Sequence, residues 1–432
     1  MTEFMLGRRR FMTASAAGLA VLGLAACGGG NDPTRGGSSV WSLQDDVQNP
    51  IQEAAITAFN ESAGTGFRLE TFANTAYAQR LRVSMGSPNA PAVFFNWGGA
   101  SIRSYVEVDQ VVDLSERLDA DPAWRDSFLP QVLDAGRIDG RYYGVPLRGM
   151  QPVALFYHAP LFAENDLRPP SDWDELLDLV DRFQALGVTP FALAGSESWT
   201  QLMWLEYLVD RIGGAEVFER IVAGEPGSWS DPAMIEAVDR IIDLVDRGAF
   251  GTNFSSVNYG AGGASTLFAR GDAAMHLMGS WEYTNQLDQQ PDFAADGLAW
   301  TSFPVLPDGV GDPSAIVGNP TNYFSVNTQA ADVEQAVAFL REHMNSDSYV
   351  DALISGGDVP AVADIEDRLS AAPNAEYALF VYGLVRDAAA FTLSWDQALP
   401  PELTQVMLTS LQEVFLGQRD SAGFVEAVEA AT

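Results

Sequence analysis

Ten tryptophans stand in the 432-residue chain, and their settings separate those that could meet a ligand from those that pack a core. Trp97 follows the β-prone run Val93-Phe94-Phe95, with Asn96 before it and Gly98-Gly99 after it. Trp281 ends the turn Gly279-Ser280-Trp281 behind a strand pattern over 273–278. Trp199 is expected in the polar loop that begins Gly195-Ser196-Glu197-Ser198, and Trp395-Asp396 precedes the Pro400-Pro401 break. Gln44 and Asp45 follow the short run Val40–Leu43, while Asn319 and Asn322 flank Pro320 and Thr321. An aromatic plane beside carboxylates and amides suits a hydroxylated ring. The plane stacks on a C–H face, and the polar groups pair with hydroxyls that must be satisfied once buried. Gly98 would let such a ring approach the backbone closely. Tyr157, Gly357 and Asp358 are weaker candidates of the same kind. Trp124, Trp173, Trp229 and Trp300 lie at helix starts or in ordinary strands, and Trp204 within an apolar helix, so these five read as core.

Reactive chemistry has little to work with. The three histidines, His158, His276 and His343, are far apart, and no HExxH, GxSxG or zinc-type Cys/His spacing occurs. All 24 basic residues are arginine, so no P-loop lysine exists. No catalytic residue, metal-ligand set or cofactor site is assigned. The 58 acidic residues leave a glycosidase-type carboxylate pair open. A formal charge of −34 repels nucleic acid and anionic lipid surfaces, which excludes both as partners of the body.

The single cysteine, Cys27, rules out an internal disulfide. Arg8-Arg9-Arg10 and the apolar stretch 11–26 read as a signal peptide. Leu24-Ala25-Ala26-Cys27 resembles the lipobox of bacterial lipoproteins. That resemblance implies cleavage before Cys27 and acylation of its thiol, leaving the protein lipid-anchored on the extracellular face of the bacterial cell membrane. Arg8-Arg9-Arg10-Phe11-Met12 also resembles a twin-arginine signal, with the general secretory route as the alternative. Residues 27–39, rich in Gly and Ser, read as a flexible tether.

The elements that must position the candidate residues alternate. Length predicts two domains of about 150–200 residues. Period-two runs such as Phe67–Phe72 alternate with helical patterns over 50–60, 77–85, 173–186, 235–247 and 333–344. The rhythm predicts an α/β fold with a largely parallel sheet, and ligands of such sheets bind beyond the strand ends. Ser171 is expected to cap the helix that starts at Trp173.

Several segments, in order, resemble the extracellular solute-binding proteins of carbohydrate ABC importers, the class that includes maltose-binding protein. They are Tyr143-Gly144-Val145-Pro146 through Leu155-Phe156-Tyr157-His158; Pro169 to Leu176; Phe268-Ala269-Arg270-Gly271-Asp272-Ala273-Ala274-Met275 with Gly279-Ser280-Trp281; and Phe303-Pro304. His158 stands where that family commonly has Asn. The resemblance spans about residues 40–420 and implies a two-lobed periplasmic-binding-protein fold of the type II kind, with a ligand cleft between the lobes. Lobe 1 would hold 40–147 plus 318–358, and lobe 2 would hold 152–316 plus 362–432. The crossings would fall near 146–150, 317–320 and 356–360. Trp281 takes the position of the family's stacking aromatic, and Trp395-Asp396 the place where its C-terminal part reaches the cleft.

The expected protein is a monomer that binds a carbohydrate, a di- or oligosaccharide, and delivers it to the permease subunits of an ABC importer. A polyol or phosphodiester ligand on the same fold, and a secreted glycoside hydrolase, are the alternatives. An anionic ligand would require Arg103 or Arg148 at the cleft.

Overall fold

A computed structural model describes residues 38–260 and 262–432. The signal segment, Cys27 and nearly all of the tether lie outside the described residues. In chain order the strands are β1 Ser39–Leu43, β2 Arg68–Phe72, β3 Val93–Asn96, β4 Arg137–Ile138, β5 Arg141–Tyr142, β6 Val145–Pro146, β7 Gln151–His158, β8 Thr189–Phe191, β9 Ala273–Gly279, β10 Leu298–Thr301, β11 Ile316–Asn319, β12 Tyr323–Val326 and β13 Phe391–Leu393. They form two main sheets. The first runs β2-β1-β3-β12-β6, and the second runs β13-β11-β7-β9-β8 with β10 also paired to β7. Each sheet carries helices and its own buried core. Val40, Phe59, Tyr77, Phe94 and Phe339 are central to the first, and Phe156, Trp204, Ile241, Met275 and Tyr377 to the second.

The expected parallel sheet is corrected to two mixed ones. β1 runs parallel to β2 and β3, but β3, β12 and β6 pair antiparallel. In the second sheet β7 lies antiparallel to β9, β10 and β11, while β8–β9 and β11–β13 are parallel. The cause is connectivity: β7 and β12 enter their sheets from the other lobe rather than through a right-handed crossover helix.

The chain passes between the sheets from β6 to β7, from β11 to β12, and after the helix Asp347–Ser355. These passages lie side by side. The Leu147 amide donates to the Asn322 carbonyl at 2.9 Å, the Met150 amide to the Val359 carbonyl at 2.8 Å, and Thr321 Oγ1 to the Arg148 carbonyl at 2.9 Å.

The cap expected from the sequence is corrected. Asp172, not Ser171, caps the helix Trp173–Leu186, accepting from the Glu175 amide at 2.9 Å. Ser171 instead gives its amide and hydroxyl to Glu175 Oε2. His158 caps the helix Ala159–Glu164 by accepting the Leu161 amide on Nδ1 at 3.3 Å, a role an Asn could also fill. Burial lowers the His158 pKa, which keeps the imidazole neutral and able to accept.

Candidate functional site

Trp281 and Trp199 stand together, with ring centroids 6.1 Å apart and planes at 49°. Trp281 opens the helix Trp281–Gln289 directly after β9. Its indole folds back over the strand end, where a Cβ on Gly279 would lie 1.9 Å from Trp281 Cζ3. Only glycine leaves that space. Ser280 Oγ donates to the Met150 carbonyl at 2.9 Å, which sets the pair's elements beside the first crossing. Trp199 is not in a loop, as expected, but in the first turn of the helix Ser198–Gly213. Both indoles are half-buried.

Two glutamates hold this aromatic wall. Glu197 accepts Trp199 Nε1 on Oε2 at 2.9 Å and the Tyr259 amide on Oε1 at 2.8 Å. Tyr259 packs edge-on against Trp199 at 5.5 Å. Its hydroxyl donates to Glu282 Oε2 at 2.9 Å, and burial, then the Glu282 charge, pushes the Tyr259 pKa well up, so the phenol stays a donor. Glu282 is fully buried and also accepts Ser265 Oγ at 2.9 Å and Gln286 Nε2 at 2.6 Å. Three donors on one carboxylate fix the helix that carries Trp281. Neither Glu197, Tyr259 nor Glu282 was expected from the sequence.

On the other lobe, Trp97 is half-buried, edge-on to Phe95 at 4.9 Å and to Tyr77 at 5.9 Å. Two expectations beside it are corrected. Asn96 is buried and fully engaged within the fold: Nδ2 donates to Ser325 Oγ at 2.8 Å, and Oδ1 accepts the Gly98 amide at 2.9 Å. Gly98 and Gly99, with φ of +78° and +52°, admit protein rather than a ring. A Cβ on Gly98 would meet Tyr323 at 2.9 Å, and one on Gly99 would meet Leu393 Cδ2 at 2.8 Å and the Gln397 carbonyl at 3.2 Å. The segment after β3 therefore rests on the segment after β13, and the two lobes touch there.

Trp395 is also corrected. It is 1% exposed, stacked on Phe218 at 4.4 Å and 4°, and edge-on to Trp229. It belongs to the second core. Asp396 beside it is partly buried, with Oδ1 lacking a partner among the described residues. Trp124, Trp173, Trp204 and Trp229 are buried as expected, while Trp300 is only partly so.

The remaining candidates gather at the crossings. Gln44 is exposed. Asp45 Oδ1 accepts the Val47 and Gln48 amides at 3.0 and 2.9 Å, and Oδ2 lies 3.4 Å from Arg148. Arg148 also lies 3.6 Å from Asp358, which accepts Gln48 Nε2 at 2.8 Å and the Gly149 amide at 3.1 Å. Asn319 and Asn322, in the second crossing, bury Oδ1 and Nδ2 respectively without a described partner. Buried polar atoms of this kind call for a hydrogen-bonding guest or water. No group of three His, Cys, Asp or Glu among the described residues could hold a metal ion. No described helix is long and apolar enough to cross a membrane.

Two α/β lobes joined by three adjacent crossings, with an aromatic wall set beside the first of them, define a two-lobed solute-binding protein. Residues 42–366 match the family model for bacterial extracellular solute-binding proteins, and the chain belongs to that family. It is 29% identical over 209 residues to a multiple sugar-binding protein of Streptococcus mutans, 48% of each chain. It is 25% identical over 202 residues to a probable sugar-binding periplasmic protein of Brucella melitensis, 47% of this chain and 46% of that one. The chain spans about half the length of the curated relatives it matches first. Among solved structures, a chitin oligosaccharide binding protein superposes with a TM-score of 0.79 at 24% identity, covering 91% of this chain and 96% of that one. A solute-binding protein in complex with raffinose gives 0.70 at 19% identity, covering 91% and 97%.

Proposed function

We propose that this protein captures a short oligosaccharide between its lobes and delivers it to the permease of an ABC importer. In this reading it is held at the outer face of the membrane by a lipid on Cys27. The carrying observation is the Trp199–Trp281 wall, clamped by Glu197 and Glu282 beside the first crossing. Such a wall offers a sugar ring an aromatic face already fixed in place, which lowers the ordering cost of binding. Asn319 and Asn322 supply an unpaired acceptor and donor for hydroxyls. Relatives named for sugar binding and fold neighbours named for chitin oligosaccharide and raffinose support the choice of ligand class.

Arg148 lies between Asp45 and Asp358. Its charge is thus already matched, which disfavours a phosphodiester. The family and its neighbours are binding proteins, and we read this chain as one that performs no hydrolysis. A panel of xylo-, cello-, chito- and malto-oligosaccharides should contain at least one sugar that raises the melting temperature. A ligand at 100 times its Kd stabilises by about 2.7 kcal/mol. Trp281→Ala should abolish that rise. No shift with any sugar, or turnover of an aryl glycoside above the blank, would sink the proposal.

A further inference from the structure

A second cavity, of about 550 Å³, lies in the lobe built on β7, and none of the residues expected at the interlobe cleft lines it, apart from the weaker candidates Tyr157 and Gly357. That volume is within the range of small-molecule sites, roughly 300–1,000 Å³. Tyr157 enters from β7, Tyr283 from the helix Trp281–Gln289, Trp300 from β10, and Asn374 and Glu376 from the start of the helix Ala375–Arg386. Gly357, in the third crossing, borders it.

The walls are aromatic and ordered. Tyr283 stacks on Tyr377 at 3.9 Å and 12°, and Trp300 stands at right angles to Tyr283 at 5.7 Å. Tyr377 is tied down by donating its hydroxyl to the Ser280 carbonyl at 2.5 Å. The other polar groups are not tied. Asn374 Nδ2 is buried without a partner. Tyr157, Tyr283 and Trp300 also line the space, and their hydroxyls and indole N–H are not among the buried unpartnered atoms, so water or a guest can reach them. Burial, then the charge of Glu376, pushes the Tyr157 pKa up, which keeps its hydroxyl protonated.

These groups define what could occupy the space. The buried Asn374 amide calls for an acceptor, and the exposed Glu376 carboxylate at the rim offers an acceptor to a guest's donor. An anion would be repelled by Glu376. An organic cation would pair with Glu376 and leave the buried Asn374 amide without an acceptor. A neutral ring bearing hydroxyls meets both needs and presents a C–H face to the aromatic walls. We propose that this cavity is a second binding site, separate from the interlobe cleft, that takes a neutral pyranose.

The test is ligand-observed saturation-transfer NMR on the exported chain with D-glucose, D-xylose, D-galactose and N-acetyl-D-glucosamine. Three variants divide the two sites. Trp199→Ala alters only the cleft. Ala295→Trp, at an exposed position on the cavity lining, blocks the cavity, and Glu376→Gln removes its one carboxylate. At least one sugar should bind the unmodified chain and Trp199→Ala alike, and weaken about tenfold in both cavity variants, or ~1.4 kcal/mol. The proposal is overturned if no sugar binds at millimolar concentration, if binding is lost in Trp199→Ala and kept in the cavity variants, or if choline binds where no sugar does. The loss of the oligosaccharide melting rise in Trp281→Ala reads the cleft, and the Ala295→Trp and Glu376→Gln titrations read the cavity, so either site can fail without the other.

Discussion

Glu206 is buried with two donors on one oxygen, the Trp395 amide and Ser394 Oγ, each at 2.7 Å, while its second oxygen has no partner among the described residues. Burial, with the charge of nearby Asp396 adding to it, pushes the Glu206 carboxyl from 4.5 up to about 8. The folded chain therefore keeps a proton that the unfolded chain releases across that window. The stability this contributes is fully present below about 4.5 and is lost as pH rises through about 8. Glu206→Gln keeps an acceptor oxygen and does not titrate. Urea unfolding at about pH 5 and about pH 9 should show the unmodified chain losing more stability over that rise than the variant does. Equal losses would place the titration elsewhere. At this scale the sequence is unevenly legible. Trp281 stands out because a Gly-Ser-Trp turn behind a strand is a local pattern. The settings of Asn96 and Trp395 do not, because their partners are remote: Asn96 bonds Ser325, 229 positions away. Glu197 and Glu282 are lost among 58 acids, since only folding brings Tyr259 between them.

The turn from β9 into the helix Trp281–Gln289 is the element on which the cleft depends. A Cβ at position 279 would lie 1.9 Å from the Trp281 ring, so even alanine must push the indole aside. Gly279→Ala should cost about 1–3 kcal/mol by overpacking. It should also shift tryptophan emission, because the Trp199–Trp281 pair opens. Urea unfolding and an emission spectrum check both, and an unchanged spectrum would mean the indole has another resting place. The longer strands are legible from period-two or β-prone runs and many helices from their apolar stripes, but short strands such as Thr189–Phe191 and Phe391–Leu393 leave no such pattern. Strand direction is not, because direction depends on which lobe the chain arrives from, and β7 and β12 each arrive from across the hinge.

Across the whole molecule, Arg148 ties the first crossing to the first lobe through Asp45 and to the third crossing through Asp358. Asp358 is 7% exposed, so losing the guanidinium leaves a nearly buried charge unmatched. Arg148→Met should destabilise by about 3 kcal/mol in urea unfolding. A loss under about 1 kcal/mol would mean the hinge charges behave as a surface pair. The two-lobed plan is legible from ordered motifs spread over the chain, whereas the second cavity is not, since its walls come from five separate segments that no local pattern joins.

The seam where Gly99 rests on Leu393 and the Gln397 carbonyl has a further consequence. Aliphatic carbon and uncharged backbone exert almost no pull until they touch. In a molecule carrying 34 excess negative charges, the two halves therefore meet at this point like a door on a plain wooden stop. Such a stop limits the approach of the halves and supplies no magnet between them, so under the proposed function the grip on a closed door comes from whatever stands in the doorway.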